Sequence, residues 1–302
     1  MAGTFTVVKT NIHGQETIEH GTALFPVQQY HNDFSIMNTV EWHWHPEFEA
    51  GIVKSGTLSS MINQDEFSLS EGDGFFINSQ VLHADWDLWK EDCLLDSVVF
   101  HPRFIGGSHD SIFWQNYITP IQNNRAFYGK VLYHDKPEDA KMLDCICHAI
   151  SLCDQQKPGY EFLVRNALSE LLYEVFCLQS HFNTGLSESA LRTEERIKTM
   201  ISFIEAHYHQ SITLQEIADS TAVSKSECIR CFSKSIGRTP IQFLKEFRLQ
   251  KAAELLYYTD MNISDIAFSC GFSEMSYFTR SFRNQYTTTP TEYRKKKLSS
   301  IQ

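Results

Sequence analysis

Residues 226–243 read SECIRCFSKSIGRTPIQF, and fifty residues further on 276–293 read SYFTRSFRNQYTTTPTEY. Ser226 aligns with Ser276, Arg230 with Arg280, Phe232 with Phe282, and Thr239-Pro240 with Thr289-Pro290. Upstream, Ile217-Ala218 aligns with Ile266-Ala267 at an offset of forty-nine, which predicts one extra residue in the second copy's turn, around Gly271. An internal repeat of this length is one supersecondary unit used twice. Each copy reads as a short helix, a tight turn and a second helix.

Helical spacing divides each second helix into two faces. Cys228, Cys231, Phe232 and Ser235 share one face in the first copy, as Phe278, Ser281, Phe282 and Gln285 do in the second. Ser226, Ile229, Arg230 and Ser233 lie opposite, as do Ser276, Thr279, Arg280 and Arg283. The first face is suited to packing and the second to a DNA major groove. There an arginine donates two hydrogen bonds to guanine and an isoleucine touches a thymine methyl. Lys234, Arg238, Arg283 and the run from Arg294 to Lys297 suit phosphates, which add affinity without sequence choice, although such a run is also an ordinary solvated surface. Ser224 and Ser273 are expected to cap the two helices. Thr239-Pro240 opens a helix expected over 240–258, which would span roughly 28 Å, against roughly 34 Å between successive major grooves. One chain can therefore hold two recognition helices about one turn of DNA apart.

The remainder has a different texture. Of 302 residues, 42% are hydrophobic and 21% charged, which is ordinary for a globular chain, and no apolar run reaches membrane-spanning length. The opening MAGTFTVVKT lacks the basic start and apolar stretch of a secretory signal, so a cytoplasmic protein is expected, with its eight cysteines as free thiols. Cys228 and Cys231 form a C-x-x-C, but within a helical pattern that reads more simply as two buried small side chains. The net charge of -11 argues against a nucleic-acid partner until it is divided. Residues 193–302 carry 15 Lys+Arg against 12 Asp+Glu, while 1–192 carry 11 against 25. Locally basic surface decides, not the total.

Up to about residue 105, EAGIVKSG, TLSSMINQ, EFSLSEGD and GFFINS read as short strands punctuated by Gly56, Gly72 and Gly74, which suggests a small antiparallel barrel. Residues 138–156 and 160–182 switch to helical spacing, separated by Pro158-Gly159. Phe162, Leu163, Ala167, Leu171, Leu172, Val175 and Leu178 form an apolar stripe that suits either packing on the barrel or a homodimer seam. The expected organisation is therefore α+β and multidomain. A barrel with its flanking helices occupies 1–182, a small polar linker 183–192, and an all-α domain with two helix-turn-helix units 193–302.

The last hundred residues resemble the AraC/XylS family of bacterial transcription regulators. The resemblance is carried by ITLQEIADSTAVS, IGRTP, FRLQKAAELL, ISDIAFSCGF, SYFTRSF and TPTEYR. It implies a seven-helix domain that binds promoter DNA and commonly activates transcription through RNA polymerase, with Arg230 and Arg280 where the recognition helices carry an arginine. Two positions depart from the pattern. Glu227-Cys228 replaces a common aromatic-leucine pair, and Thr287 stands where glycine is usual. That glycine position favours a left-handed backbone, which threonine adopts poorly, so the second recognition helix is expected to end differently.

The amino-terminal segment HWHPEFE, 43–49, and Gly56 match the first cupin motif, H-x-H-(x)3-E-(x)6-G. Gly72, Asn78, Gln80 and His83 match the second loosely. His43, His45, Glu49 and His83 can together ligate iron, manganese, nickel or zinc. The resemblance equally implies an effector pocket without chemistry, and this is the expectation adopted, with no cofactor required and no catalytic residue. A metal-dependent cupin enzyme carrying a DNA-binding domain is the alternative. Trp42, Trp44, Phe48, Phe76, Trp86 and Trp89 are candidates to line the pocket of a small-molecule effector such as a sugar, although Trp42 and Trp44 should face away from the histidines. No membrane partner is expected.

Overall fold

The computed structural model describes residues 16, 19–35, 39–87, 92–179, 181–182 and 188–300, excepting the side chains of 188–191 and 296–300. The chain divides into two compact units at Leu191/Arg192.

Among the described residues the first unit has nine strands: β1 (Val27–Asp33), β2 (Thr39–His43), β3 (Phe48–Ser55), β4 (Thr57–Ile62), β5 (Asp65–Ser70), β6 (Gly74–Ile77), β7 (His83–Trp86), β8 (Leu94–Phe100) and β9 (Gly129–Leu132). They form two antiparallel sheets, ordered β1-β8-β3-β6-β9 and β2-β7-β4-β5. The ninth strand lies beyond the expected barrel range and pairs Gly74–Ile77 with 129–132. Four residues of ordinary composition carry no signal of their own, and the neighbouring strand recruits them. Gly56 turns β3 into β4 at φ 74°, where an added Cβ would lie 2.9 Å from the Cys93 backbone. Glycine is required there on both counts.

After β8 come α1 (Arg103–Gly106), a π-helical turn (Trp114–Ile118) and α2 (Thr119–Asn123), then the long pair α3 (Ala140–Gln155) and α4 (Tyr160–Gln179). Alternation along β3 sorts its side chains. Phe48, Ala50 and Ile52 join Phe76, Val98 and Phe100 in one core with Ile146, Ala149, Leu168 and Leu171 of the helices. Val53 joins Phe75, Ile77 and Leu95 in a second core, against Leu58, Ile62 and Leu69 of the other sheet. The unit is thus three layers: helices, five strands, four strands. Within the α4 stripe, Ala167, Leu171, Leu172 and Val175 are buried in their own unit, whereas Phe162 and Leu163 stay 77% and 49% exposed.

The second unit holds seven helices among the described residues: α5 (Glu188–His207), α6 (Leu214–Asp219), α7 (Lys225–Ile236), α8 (Pro240–Tyr258), α9 (Ile263–Ser269), α10 (Met275–Tyr286) and α11 (Pro290–Ser300). The first of these begins inside the stretch expected as linker. α6 and α7 form the first helix-turn-helix, and α9 and α10 the second. Thr213 and Thr239 make complete capping boxes with Glu216 and Gln242. The nineteen residues of α8 match the expected range, opened by Thr239-Pro240. Leu249, Ala252, Ala253 and Leu256 of α8 pack with Ile266, Ala267, Phe278, Phe282 and Tyr286.

Two expectations about the second copy are corrected. Ala222 and Gly271 occupy equivalent turn positions, at φ 53° and 82°, followed by equivalent backbone bonds from Val223 to Ala218 and from Phe272 to Ala267. The offset of forty-nine therefore persists to Phe272 and becomes fifty at the N-cap, where Glu274 takes the place of Ser224, so the extra residue is Ser273. Ser273 is displaced by one position, and α10 has no side-chain cap, whereas Ser224 accepts from the Glu227 amide as expected. The second correction concerns Thr287. It adopts φ 57° and ψ 8° and ends α10 as Gly237, at φ 70° and ψ 9°, ends α7.

Candidate functional sites: two recognition helices and a buried histidine centre

On α7 the packing face is buried as its spacing implies: Cys228, Cys231, Phe232 and Ser235 are all inside. The two thiols are free, and burial pushes Cys228 up to about 11, so neither resembles a reactive thiolate. Ser226, Ile229, Arg230, Ser233 and Lys234 are exposed. α10 repeats the division, with Phe278, Ser281 and Phe282 buried and Gln285 only half-buried. Ser276, Thr279, Arg280 and Arg283 line an open groove of about 610 Å3 together with Met275, Asn284 and Thr289. All four residues singled out on this helix thus share one concave surface.

The two arginines differ in their surroundings. Arg230 donates to Glu227 through Nε and Nη2, at 2.8 and 2.7 Å, and Arg196 reaches the same carboxylate at 3.2 Å. Hydrogen bonding from Arg230 holds the Glu227 carboxyl below its usual range. In the second copy Tyr277 replaces the glutamate, and the Arg280 guanidinium lies 5.9 Å from its ring centre, a cation–π contact. The departure at Glu227 therefore leaves the fold intact but changes what α7 presents. Of the terminal basic run, Arg294 is half-buried, with Nε and Nη2 out of solvent, and the side chains of Lys296 and Lys297 lie outside the described residues. Arg248 was not singled out from the sequence. It donates to the Tyr208 and Gln210 carbonyls at 2.7 and 2.6 Å, tying α8 to the end of α5.

In the first unit, His43, His45, Glu49 and His83 converge, with one donor atom from each lying within 4.8 Å of the others. Strand register explains the assembly. His43 sits opposite His83 across β2 and β7, and Glu49 occupies the face of β3 that looks between the sheets. His45 and His83 place Nε2 3.3 and 3.2 Å from Glu49 Oε2. Each of the three imidazoles is anchored by its other nitrogen. Nδ1 of His43 donates to the Glu41 carbonyl at 2.7 Å, that of His45 to Glu47 at 3.2 Å, and that of His83 to Val81 at 2.9 Å. A carbonyl can only accept, so Nδ1 carries a proton in each ring; Nε2 offers its lone pair to the centre in the neutral ring and donates to Glu49 only in the protonated one.

All four residues are buried. Burial alone would raise the Glu49 carboxyl, but hydrogen bonds from His45 and His83 outweigh it and hold it well below its ordinary value. Burial, aided by the neighbouring His83, depresses His43 to about 3. The aromatic expectations divide. Phe48 and Phe76 are fully buried in the helix-facing core and so lie off this centre, and Trp89 falls outside the described residues. Two residues not singled out from the sequence join the cluster: Glu16 and His20 form a second group with His45. No motif spacing relates residue 16 to residue 83, so only the fold brings them together.

Two helix-turn-helix units joined by one long helix, on the same chain as a barrel that holds a buried histidine centre, define a DNA-binding regulator with a ligand-binding domain. A family model described as the AraC-like ligand binding domain matches residues 30–172, and one described as a helix-turn-helix domain matches 217–296. The chain belongs to the AraC family of transcriptional regulators. It is 27% identical over 283 residues to the uncharacterized HTH-type transcriptional regulator YdeC of Bacillus subtilis, covering 93% of this chain and 96% of that one. It is also 27% identical over 264 residues to the HTH-type transcriptional activator RhaS of Escherichia fergusonii, covering 86% and 89%. Among solved structures, the C-terminal domain of AraT, a response regulator from Geobacillus stearothermophilus, matches at 29% identity and a TM-score of 0.33, over 33% of this chain and 84% of that one. No described helix is long and apolar enough to cross a membrane.

Proposed function

We propose that this regulator is a transcriptional activator. It reads promoter DNA through α7 and α10, recruits RNA polymerase, and responds to an effector held in the amino-terminal barrel. The observation that carries the reading is the matched pair of recognition helices, each with its aromatic face buried and its arginine face open. Activation is supported by the relative named as an activator. The protein acts by binding, from the cytoplasm, and pairs as a homodimer. Phe162, Tyr173, Phe113 and Tyr117, all exposed, border a groove of about 600 Å3 beside α4, which suits the same face of a second copy.

The centre in the barrel fits a divalent transition metal. Two donors bound to one ion at about 2.1 Å lie roughly 3 to 3.5 Å apart, and the Glu49 contacts measure 3.2 and 3.3 Å. A metal-ligating histidine also donates its remaining N–H to a carbonyl or carboxylate, as all three do here. His43, His45, His83 and Glu49 would hold the ion. Its chemistry when bound is to attract oxygen donors, and vicinal hydroxyls such as those of a sugar are one effector class it would accept.

The test is salt-dependent binding of the full chain to its own upstream DNA. Arg280→Ala and Arg230→Ala are expected to weaken binding and to relax discrimination by about 1 to 3 kcal/mol at the base each reads. Equal binding by both variants and the unsubstituted protein refutes the reading, and transcription with purified RNA polymerase separates activation from repression.

A further inference from the structure

We propose that Glu16 and His20, in the segment before β1, are additional ligands of the barrel centre, so that metal capture and docking of that segment are one event. This rests on the metal reading above but concerns residues outside the motif that prompted it.

Glu16 is 7% exposed and His20 6%, which is unusual for a carboxylate and an imidazole that precede the first strand. Glu16 Oε2 lies 3.7 Å from His43 Nε2 and 3.2 Å from His20 Nε2, close to the separation of donors sharing one ion. Glu16, His20 and His45 each place a donor atom within 4.8 Å of the others, and the His20 and His45 rings are 5.2 Å apart. Through His45 the two clusters become one.

His20 repeats the arrangement of the other three histidines. Its Nδ1 bonds the Tyr30 hydroxyl at 2.8 Å, while its buried Nε2 is directed to the cluster and pairs with Glu16 Oε2 at 3.2 Å. When Nδ1 donates to the Tyr30 oxygen, the neutral ring presents its Nε2 lone pair beside Glu16 Oε2, two acceptors that a cation can bridge. A metal ion and a proton on Nε2 compete for that place, so binding of the ion releases the proton. The backbone holds the carboxylate in place, because the Glu16 amide donates to the Trp44 carbonyl at 3.0 Å, between His43 and His45. The centre therefore has two carboxylates and four imidazoles, a set that suits a transition ion better than calcium or magnesium.

The experiment uses the full chain, stripped with chelator and titrated with Co2+, following visible absorption and competition against a chromophoric chelator. The unsubstituted protein is expected to bind one Co2+, and His45→Ala to lose most of that affinity. Glu16→Ala and His20→Ala are expected to weaken binding by about 10- to 100-fold. They should also shift the ligand-field bands, which a role confined to packing would not do. Glu19→Ala, at an exposed neighbour, should match the unsubstituted protein in both. Tryptophan fluorescence on urea unfolding confirms that each variant is folded. If His45→Ala loses metal while Glu16→Ala and His20→Ala keep the original affinity and spectrum, the four-residue centre stands and the present proposal is overturned. If the unsubstituted protein takes up neither Co2+ nor Zn2+, the metal reading itself falls, and this proposal with it.

Discussion

Thr287 offers a direct measure of how much backbone strain the second recognition helix carries. It ends α10 at φ 57°, where Gly237 ends α7 at φ 70°. The left-handed region costs an L-residue about 1 to 2 kcal/mol, and β-branching places threonine among its least tolerant residues. Thr287→Gly removes that cost. It returns about 0.5 to 1 kcal/mol through the greater freedom of glycine in the unfolded chain, and it loses the bond from Thr287 Oγ1 to the Tyr286 carbonyl at 2.7 Å. Because Thr287 is exposed, water replaces that bond at little net cost, and the expected gain is about 0.5 to 1 kcal/mol, or roughly 2 to 6 °C for a unit of this size. Gly237→Ala should move the other way by about 1 kcal/mol. A Cβ at that position meets nothing within 4 Å, so the backbone alone sets its cost. Composition provides the assay. The five tryptophans are at 42, 44, 86, 89 and 114, so their fluorescence reports the first unit, while circular dichroism at 222 nm reports helices in both. The two substitutions should shift the dichroism transition in opposite directions and leave the fluorescence transition in place. A Thr287→Gly protein that melts lower than the original would refute the argument from strain.

Two further outcomes follow from the first unit. Phe162→Glu, at a side chain 77% exposed beside the α4 groove, should weaken a homodimer by about 30-fold or more if that face is a buried hot spot; sedimentation velocity reads the change, and an unaltered dimer would place the seam elsewhere. His31 bonds Asp96 on β8 at 2.6 Å and Asp154 on α3 at 2.9 Å; partial burial lowers its pKa, but the two carboxylates outweigh it and raise it above 6.5. The stabilisation is therefore full below pH 6.5 and lost as pH rises through the folded-state value. Solvent exposure of His31 and Asp154 keeps it small. The fluorescence-detected urea midpoint should fall modestly between pH 6 and 8, and Asp154→Asn should flatten that dependence; an unchanged slope in the variant would remove His31 as its source.

The helix-turn-helix pair was legible because its information is local. Faces repeat every three to four residues, threonine and proline mark a helix start, and the second copy checks the first. Reading failed where one residue is ambiguous. Whether Ser273 or Glu274 caps α10 depends on where a single insertion falls, and an alignment can place it on either side of Gly271. Thr287 misled for a related reason, since local propensity argues against the left-handed turn, yet packing of Phe278, Phe282 and Tyr286 beneath the helix can outweigh about 1 to 2 kcal/mol of strain.

The barrel centre divides the two kinds of information most clearly. From H-x-H and the following glutamate, alternation along strands already implied that His43 and His45 share a side, and the amino-acid order by itself determined that a donor set existed. Whether His83 met that set depended on a strand pairing between β2 and β7, across a register shift between Val40 and His43. That register is the sum of many side-chain contacts over two sheets, and no short segment encodes it. The same holds for Glu16 and His20, which no spacing connects to residue 83. Helical periodicity is written along the chain, whereas the meeting of two donor groups that share His45 is a property of how the sheets and the segment before them pack, and only the tertiary structure decides it.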